Sequence, residues 1–473
     1  MSPCCCLALL ALVSLTLAAN PGVKVILTEK AIEYGKQIGM ATLLKKLKTI
    51  HIPDMAGTQD LSPIGSVKYS LTEMNIVNLG LPQSDLTLVP GTGIRLSITN
   101  AFINLHGNWR VQYLSFIHDS GSFDLELSGL TITDSFAIQN DETGRPTVRS
   151  LSCEANVASA SIEFHGGASW LYNLFSSFID TALRGALQNQ ICPLLADSIN
   201  DMNQQLKSLN ILTKVDNYAE IDNAMVTSPS ISKSSIDLGL KGEFYNIGKH
   251  QEPPFYPGPF SMPPLVNNMI YIGVSEFTAN SAGFVYNNAG ALSLRVTDEM
   301  IPQQSPIRLN TKAFGVFIPE IAKRFPDLMV ELLVKTDKMP TISFQADNVT
   351  VQASSTMTAY AVQTNGTLSP LFILNMEGSV SARLKVTGAK LSGSTTLNKF
   401  EVALGTSYVG PFQVQSFENI LIIALKAFVI PKINTRLEMG FPLPAIGKME
   451  LLNTNLQVLK DCMVIGTDVR FPS

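Results

Sequence analysis

Two stretches of this chain share one unusual pattern. From about Trp170 to Ile191 apolar residues recur at helical spacing, then Cys192-Pro193-Leu194-Leu195 follows, with a polar helical tail to about Lys207. From about Phe417 to Ile430 a similar stripe runs into Pro431-Lys432-Ile433-Asn434, with a polar tail to about Glu438. Proline removes a backbone donor, so each pattern predicts a long apolar helix kinked or ended at its proline. Each follows a long stretch of β-alternation. A chain that builds the same unit twice reads as two related domains in tandem. The spacing is too long for a solenoid, whose repeats run roughly 20–50 residues.

The segments between these stripes fill in the picture. Residues Leu27 to Ile50 follow a helical period, with Ala31, Ile32, Gly35, Ile38, Gly39, Thr42, Leu43 and Leu47 on one stripe. Thr28 is a fitting N-cap with Glu29 in the first turn. From about Val67 to Ala160 the period changes to two, as in Ile94/Leu96/Ile98 and Phe123/Leu125/Leu127. Turn signals at Pro90-Gly91, His106-Gly107-Asn108 and Asp119-Ser120-Gly121 divide the runs. The pattern predicts an antiparallel meander with one apolar face, which the apolar helices would cover.

His250 to Pro264 holds six prolines and a glycine, which suit neither a helix nor a central strand. A linker at 248–268 is therefore expected, between domains at 19–247 and 269–473. Beyond it the pattern predicts a short strand, a helix over about Ser275 to Asn288, strand runs from Leu292 to about Val409, the second apolar helix and a last strand segment.

Both apolar helices are broader than cover alone requires. Leu171, Leu174, Phe175, Phe178, Ala182 and Leu183 make one face, and Leu421, Ile422, Leu425, Phe428 and Val429 the other. Core packing is the ordinary explanation. A helix laid on a strongly curved sheet also leaves an apolar slot that would take an acyl chain.

Composition narrows the function. Leu7 to Leu17 is almost wholly apolar and Thr16-Leu17-Ala18 offers small residues for cleavage, so residues 1–18 are expected to be a secretory signal. Retention as an anchor, with Cys4, Cys5 and Cys6 open to acylation, is the alternative. No later stretch has the length of a transmembrane helix. Cys153, Cys192 and Cys462 remain after cleavage, and in an oxidising compartment two should pair. Cys153 near the end of the strand-rich stretch and Cys192 at the helix kink are the expected pair, leaving Cys462 as a buried thiol. Asn348-Val-Thr and Asn365-Gly-Thr are glycosylation acceptor motifs.

The chain is 15% charged with a net of −4. Residues 1–250 carry 17 Lys+Arg against 22 Asp+Glu, a net of −5, and the rest carry 17 against 16, a net of +1. Without a basic domain, nucleic acid is not an expected partner. The local exception is Lys24 to Lys48, with six lysines and two glutamates. None of the five histidines stands in metal-ligand spacing. There is no Gly-x-Ser-x-Gly elbow and no P-loop, and Gly91-Thr-Gly93 lacks the rest of a dinucleotide loop. An enzyme, a metal site or a cofactor is not expected.

Several local words then point to one family. They are Asn20-Pro-Gly-Val, Lys241-Gly-Glu-Phe-Tyr, the proline linker, Tyr271-Ile-Gly-Val-Ser-Glu-Phe and Ala282-Gly-Phe-Val-Tyr. Phe314-Gly-Val-Phe-Ile-Pro-Glu-Ile-Ala-Lys-Arg-Phe-Pro and Gly440-Phe-Pro-Leu-Pro complete the set. In this order, over essentially the whole mature chain, they resemble the family of bactericidal/permeability-increasing and lipopolysaccharide-binding proteins. The resemblance implies an α+β fold shaped as an elongated boomerang. Two barrels, each a highly twisted antiparallel sheet with two long helices, would meet at a central sheet, and each would hold a phospholipid in an apolar pocket. It implies one disulfide, matching Cys153 and Cys192. It also implies binding of the lipid A part of lipopolysaccharide by basic residues at the tip of the first barrel.

The sequence departs from the family at that tip. In the bactericidal member the loops matching Gln59 to Ser66 and Asn108 to His118 are lysine-rich, whereas here Arg110 is their sole fixed positive charge. Phosphate binding rests on such charges. Lys45, Lys46, Lys48, Lys68, Arg95 and Arg110 remain as candidate contacts. Trp109, Tyr113 and Phe116 either insert at a membrane interface or pack as ordinary strand residues. The expected apolar lining is Leu171, Leu174, Phe175 and Phe178 in the first barrel and Leu421, Leu425 and Phe428 in the second.

Two functions follow as expectations. One is a secreted, monomeric defence protein that binds lipopolysaccharide and the bacterial outer membrane, carries phospholipid and docks a receptor protein through its second barrel. The other is a secreted phospholipid carrier without endotoxin specificity, which the weak tip charge favours. Killing of bacteria would depend on the basic charge that is sparse here.

Overall fold

The computed structural model describes residues 20–471 except 51, 62–64, 114–116, 168–175, 302, 304–307, 388 and 444–448. The expected signal segment lies outside the described residues. The chain divides into two compact units. The N-terminal unit holds Leu27–Leu209 and Ser228–Asp237, and the C-terminal unit holds the residues up to Ile26, Asn210–Thr227 and Leu238–Ser473.

β1 (Val23–Thr28) leads into α1 (Glu29–Leu47). Thr28 stands at the N-cap with extended backbone but makes no capping bond through its side chain. Glu29 in the first turn and Lys45 and Lys46 in the last complement the helix dipole. The expected stripe is only partly buried. Leu43 and Leu47 enter the core and Met40 and Leu44 pack beside them, whereas Gly35, Ile38, Gly39 and Thr42 are exposed. The two glycines offer no side chain to bury, so α1 is anchored by its C-terminal end.

The meander is β2 (Met55–Leu61), β3 (Gly65–Gly80), β4 (Gln83–Val89), β5 (Gly93–Tyr113), β6 (Ile117–Asn140), β7 (Pro146–Asn156) and β8 (Ser159–His165). Its order is β2-β3-β5-β6-β7, with β4 also on β5 and β8 also on β6. β5 and β6 are the spine, and each changes partner midway. β3 pairs with the Phe102–Tyr113 end of β5 and β4 with its Gly93–Thr99 end. Register shifts at Thr72/Asn75, Ile98/Ala101 and Ser135/Phe136 mark bulges, which raise the local twist. Ile103, Leu105, Trp109, Val111, Phe123, Leu125 and Leu127 face the core, and the residues between them face out.

α2 (Ser176–Lys207) covers that apolar face through Ile179, Leu183, Leu187, Ile191, Leu195 and Ile199. A strict spacing of four drifts by roughly 40° per step around a straight helix. A flat sheet would lose contact with such a ridge, and a twisted one keeps it. The helix runs on through Pro193, so the proline does not end it. The Cys153–Cys192 disulfide ties α2 to β7 one residue before that proline.

The C-terminal unit begins its main run after α2 with β9 (Leu212–Lys214) and β10 (Ala219–Asp222). The hairpin of β11 (Ser230–Ile231) and β12 (Ser235–Leu240) belongs to the N-terminal unit as far as Asp237, and β13 (Glu243–Asn246), back in the C-terminal unit, pairs with β10. The proline stretch is irregular but lies within this unit rather than dividing the chain. The reason is packing of its two phenylalanines: buried Phe260 packs with Ile26, Tyr271 and Cys462, and half-buried Phe255 meets Phe277 and Phe284 edge-on. Lys24 Nζ donates to the Phe260 carbonyl.

β14 (Ile270–Ser275) and α3 (Glu276–Asn288) follow as the pattern predicts. The expected strand run from Leu292 is β15 (Ser293–Val296), interrupted by a short 3-10 turn at Asp298–Met300, α4 (Thr311–Gly315) and α5 (Pro319–Arg324). Local chemistry explains the interruption. Asn310 accepts from the Ala313 N–H as an N-cap, and Pro319 opens α5. The large sheet resumes with β16 (Met329–Thr336), β17 (Thr341–Gln345), β18 (Asn348–Val362), β19 (Leu368–Thr387) and β20 (Lys390–Ser407).

The second apolar helix is α6 (Gln415–Ala424), a π turn at Leu425–Val429 and α7 (Ile430–Met439) in one continuous path. Pro431 sits in the first turn of α7, so here too the helix passes its proline. β21 (Phe441–Pro442), β22 (Glu450–Val458) and β23 (Cys462–Arg470) close the chain. β15-β16-β18-β19-β20-β21 form one sheet, and β14 pairs with β23 and β23 with β22. Phe314, Phe372, Phe412 and Phe417 form an aromatic knot in the core, with ring centroids 5.2 Å apart for Phe372 and Phe412. Cys462 is a buried free thiol, and burial pushes its pKa up, which makes it unreactive.

Candidate functional site

The hairpin end of the N-terminal sheet collects the turns β2–β3 and β5–β6 and the last residues of β8. Alternation decides which side chains face out there. Lys68 stands opposite Gln112, and Arg110 stands between Ser70 on β3 and Ser120 on β6. Residues directly opposite share a face, so Lys68 and Arg110 belong to one exposed surface. Among the described residues neither forms an ion pair.

The other candidate cations do not join them by strand register. Arg95 lies 15 residues along β5, roughly 50 Å at strand rise, and its Nε donates to Ser135 Oγ at 3.3 Å. Lys45, Lys46 and Lys48 sit at the end of α1, and Lys46 is committed to Asp201 of α2 at 2.5 Å. All three place positive charge at the helix C-terminus, and Lys46 alone ties α1 to α2.

Trp109 is not a membrane anchor. Its ring is 3% exposed, its Nε1 donates to the Ser122 carbonyl at 3.0 Å, and Phe164 meets it edge-on with centroids 6.0 Å apart. Tyr113 packs against the same core, half-buried, and Phe116 lies outside the described residues.

The outer face also holds a constellation that sequence reasoning missed. Asp124 stands opposite His106 in the β5–β6 register, and His165 stands opposite Ser122, one step along β8. The Asp124 carboxylate bridges the two imidazoles, Oδ1 to His106 Nδ1 at 2.7 Å and Oδ2 to His165 Nε2 at 2.8 Å. The hydrogen bond from His106 first, and that from His165 next, hold its carboxyl below the usual carboxylate range. The Phe123/Leu125/Leu127 alternation places Asp124 outward, whereas His106-Gly107-Asn108, expected as a turn, runs mid-strand in β5, as Asp119-Ser120-Gly121 does in β6; strand register brings His106 and Asp124 together.

The apolar candidates divide. Leu171, Leu174 and Phe175 lie outside the described residues, as does the side chain of Phe178. Leu421 packs on the aromatic core, Leu425 is half-buried and Phe428 is exposed. The helix around the π turn is apolar on nearly every side, so packing one side leaves another open. Ile423 is 65% exposed, Val429 43% and Ile433 41%. Lys426 and Lys432 stand among them, exposed. An apolar strip studded with lysines suits acyl chains beside phosphate better than it suits water. A groove of about 340 Å³ on the sheet of the same unit is polar, with Lys338, Glu377, Lys399 and Glu401 among its lining, and does not suit an acyl chain.

The two glycosylation motifs differ in access. Asn365 is exposed at the β18–β19 turn, where its Oδ1 accepts from the Thr367 N–H at 3.0 Å. Asn348 is half-buried, and its Nδ2 donates to Thr350 Oγ1 at 3.1 Å and Ser381 Oγ at 3.3 Å.

Comparison with known proteins agrees with this architecture. Residues 31–209 match the N-terminal domain of the LBP / BPI / CETP family, and residues 213–471 match its C-terminal domain. A bactericidal permeability-increasing protein of Sebastes schlegelii is 64% identical over 468 residues, 99% of each chain. A lipopolysaccharide-binding protein of Bos taurus is 32% identical over 464 residues, 98% of this chain and 96% of that one. The crystal structure of lipopolysaccharide binding protein aligns with a TM-score of 0.62 at 31% identity, covering 96% of this chain and 99% of that chain.

Proposed function

This chain belongs to the LBP / BPI / CETP family, and from that membership we propose that it is a secreted innate-immunity protein that binds lipopolysaccharide of Gram-negative bacteria through its lipid A. The observation that carries this reading is likeness along the whole length to proteins named for bactericidal action and lipopolysaccharide binding. No covalent chemistry is involved. Acyl chains are held by apolar contact, at about 0.8 kcal/mol for each CH₂ removed from water. Cations meet the phosphates. Among the described residues no helix is long and apolar enough to cross a membrane, which fits a protein that meets lipid at its surface.

Each unit carries a phospholipid in this reading, and the protein works as a monomer. In the C-terminal unit the strip at Ile423, Val429 and Ile433 supports lipid contact, and that unit is also the one that docks a receptor protein. Killing of bacteria would draw on Lys68, Arg110 and the α1 lysines, so it should weaken with salt. The second reading is a phospholipid carrier without endotoxin specificity. One observation favours it: the fixed cations at the hairpin end are only Lys68 and Arg110.

Binding of the purified protein to lipopolysaccharide and to neutral phospholipid vesicles, at low and physiological salt, separates the two. Lipopolysaccharide-selective, salt-sensitive binding is the expected result. Equal or absent surface binding, with phospholipid still extractable from the pure protein, would leave the carrier.

A further inference from the structure

Among the described residues of the N-terminal sheet, Asp134 is the one ionisable side chain that is fully buried. It lies on β6 between Leu96 of β5 and Cys153 of β7, with Ile132 and Phe136 two residues away on the same face, and it is 1% exposed. The Ser150 hydroxyl donates to its Oδ1 at 2.8 Å. Its Oδ2 is buried and accepts no hydrogen bond among the described residues. An unpaired buried acceptor is costly, and native proteins seldom keep one without a use.

The local fold is shaped to keep the carboxyl there. Strict alternation along β7 would put Ser150 on the opposite face from Cys153, three residues away. A register shift intervenes. Ser152 stands opposite Ser135, Ser150 stands opposite Phe136, and Leu151 is left over as the bulged residue. Phe136 and Asp134 share a face, so the bulge turns Ser150 inward to hold the carboxyl. Residues directly opposite on one face have Cβ atoms about 4.5–5.5 Å apart, which brings the Asp134 carboxyl within reach of the Cys153 sulfur.

We propose that the Cys153–Cys192 bond is a redox latch on α2 that a dithiol opens, and that Asp134 makes it easier to open. The oxidised bond has no proton to offer Oδ2. Reduction turns Cys153 into a thiol, whose S–H is a donor beside an acceptor that has none. The reduced state therefore gains a hydrogen bond that the oxidised state lacks. Burial is the largest influence on the Asp134 carboxyl and raises its pKa, against the Ser150 hydroxyl and the Ser135 backbone, so it keeps a proton to higher pH than an ordinary aspartate.

In the exchange, a thiolate of the dithiol attacks Cys192 Sγ and forms a mixed disulfide, while the Cys153–Cys192 bond breaks and its electron pair leaves on Cys153 Sγ. That sulfur takes a proton from the Asp134 carboxyl where it is protonated, and from solvent otherwise. Solvent then restores the carboxyl. The second sulfur of the dithiol, as thiolate, displaces Cys192, which takes up a proton in turn. Two electrons and two protons reach the cysteines, and the dithiol ends as its own disulfide. Both cysteines are half-buried, so the reagent reaches the bond in the folded unit. Pro193, the next residue, has no N–H for the helix ladder, so reduction leaves α2 held at this point by its apolar ridge alone.

The test is the equilibrium of the full-length protein with mixtures of reduced and oxidised dithiothreitol at neutral pH. Thiols are trapped by alkylation, and the peptides carrying Cys153 and Cys192 are read by mass spectrometry. Asp134→Asn keeps an acceptor for Ser150 and removes the unpaired carboxylate oxygen, so it should lower the equilibrium constant for reduction about tenfold, a shift of about 30 mV to lower potential. Asp134→Leu should move the constant the same way. Glu154→Gln, which removes an exposed charge one residue along β7, should leave it in place. Fluorescence of Trp109, buried in the core of the same unit, should stay native through the transition. A constant for Asp134→Asn within about twofold of the wild type overturns the role of Asp134. Fluorescence lost in step with reduction overturns the latch itself, since the bond would then open only as the unit unfolds.

Discussion

Removing the Cys153–Cys192 disulfide should destabilise the N-terminal unit selectively, and the structure sets the scale. The bond spans 39 residues. On the chain-entropy account, opening a loop of that size costs about 3.9 kcal/mol at 25 °C, before any change in native packing. The bond also holds α2 where Pro193 leaves the helix one backbone bond short, and both cysteines are only half-buried, so two alanines leave little cavity. Cys153→Ala/Cys192→Ala should therefore lose roughly 4 kcal/mol, most of it entropic.

Both tryptophans of the chain, Trp109 and Trp170, fall in the N-terminal unit, so intrinsic fluorescence reads that unit alone. With a urea slope near 2 kcal/mol/M, the fluorescence midpoint should fall by about 2 M. Reduction of the wild type by dithiothreitol should reproduce that shift. A loss under about 1 kcal/mol would refute the reasoning, since it would mean the unfolded chain gains little freedom when the loop opens. An equal shift in a signal from the C-terminal unit would refute the selectivity.

Three further outcomes are expected. Asp134 is 1% exposed and burial raises its carboxyl pKa, so its charge costs stability as pH rises from the unfolded carboxylate value of about 4 through the raised folded one; Asp134→Asn should then stabilise the N-terminal unit at pH 7 and do so less in acid, and urea melts showing no pH-dependent gain would count against it. Mass spectrometry of the secreted protein should find a glycan on Asn365, which is exposed, and none on Asn348, whose amide nitrogen is already bonded twice; a fully occupied Asn348 would contradict this. Ile423→Asp/Val429→Asp should weaken partition onto phospholipid vesicles by about tenfold or more while leaving the urea midpoint within about 0.5 kcal/mol, because these side chains are exposed; unchanged partition would remove that strip from lipid contact.

How much was legible in the sequence depended on the range of the interactions involved. Helix periodicity and β-alternation are local, so α1, the meander, α3 and both apolar helices were visible, as was the Cys153–Cys192 pair. Proline chemistry was visible too, but not its outcome. Pro193 and Pro431 each sit in a helix that continues, because α2 is clamped by a disulfide and a ridge of six apolar residues, and the second helix absorbs the irregularity as a π turn. The residues 248–268 were legible as irregular chain and not as part of a unit, since Phe255 and Phe260 find their pockets on segments that only folding brings near.

The candidate site shows the same limit more sharply. Read along the chain, Lys45, Lys46, Lys48, Lys68, Arg95 and Arg110 stand side by side as candidate contacts. Strand register separates them. β3 lies beside β5 so that Lys68 and Arg110 fall on one face, while Lys46 is bound to Asp201. Register also places His106, Asp124 and His165 together from three strands, although no spacing among them is informative in a linear chain. A search for fixed positive charge finds this hairpin end poor. The two fixed cations that remain, Lys68 and Arg110, fall on one face, so the scarcity of lysine at this end bears on how strongly that face attracts phosphate, and salt is the variable that the binding experiment must control.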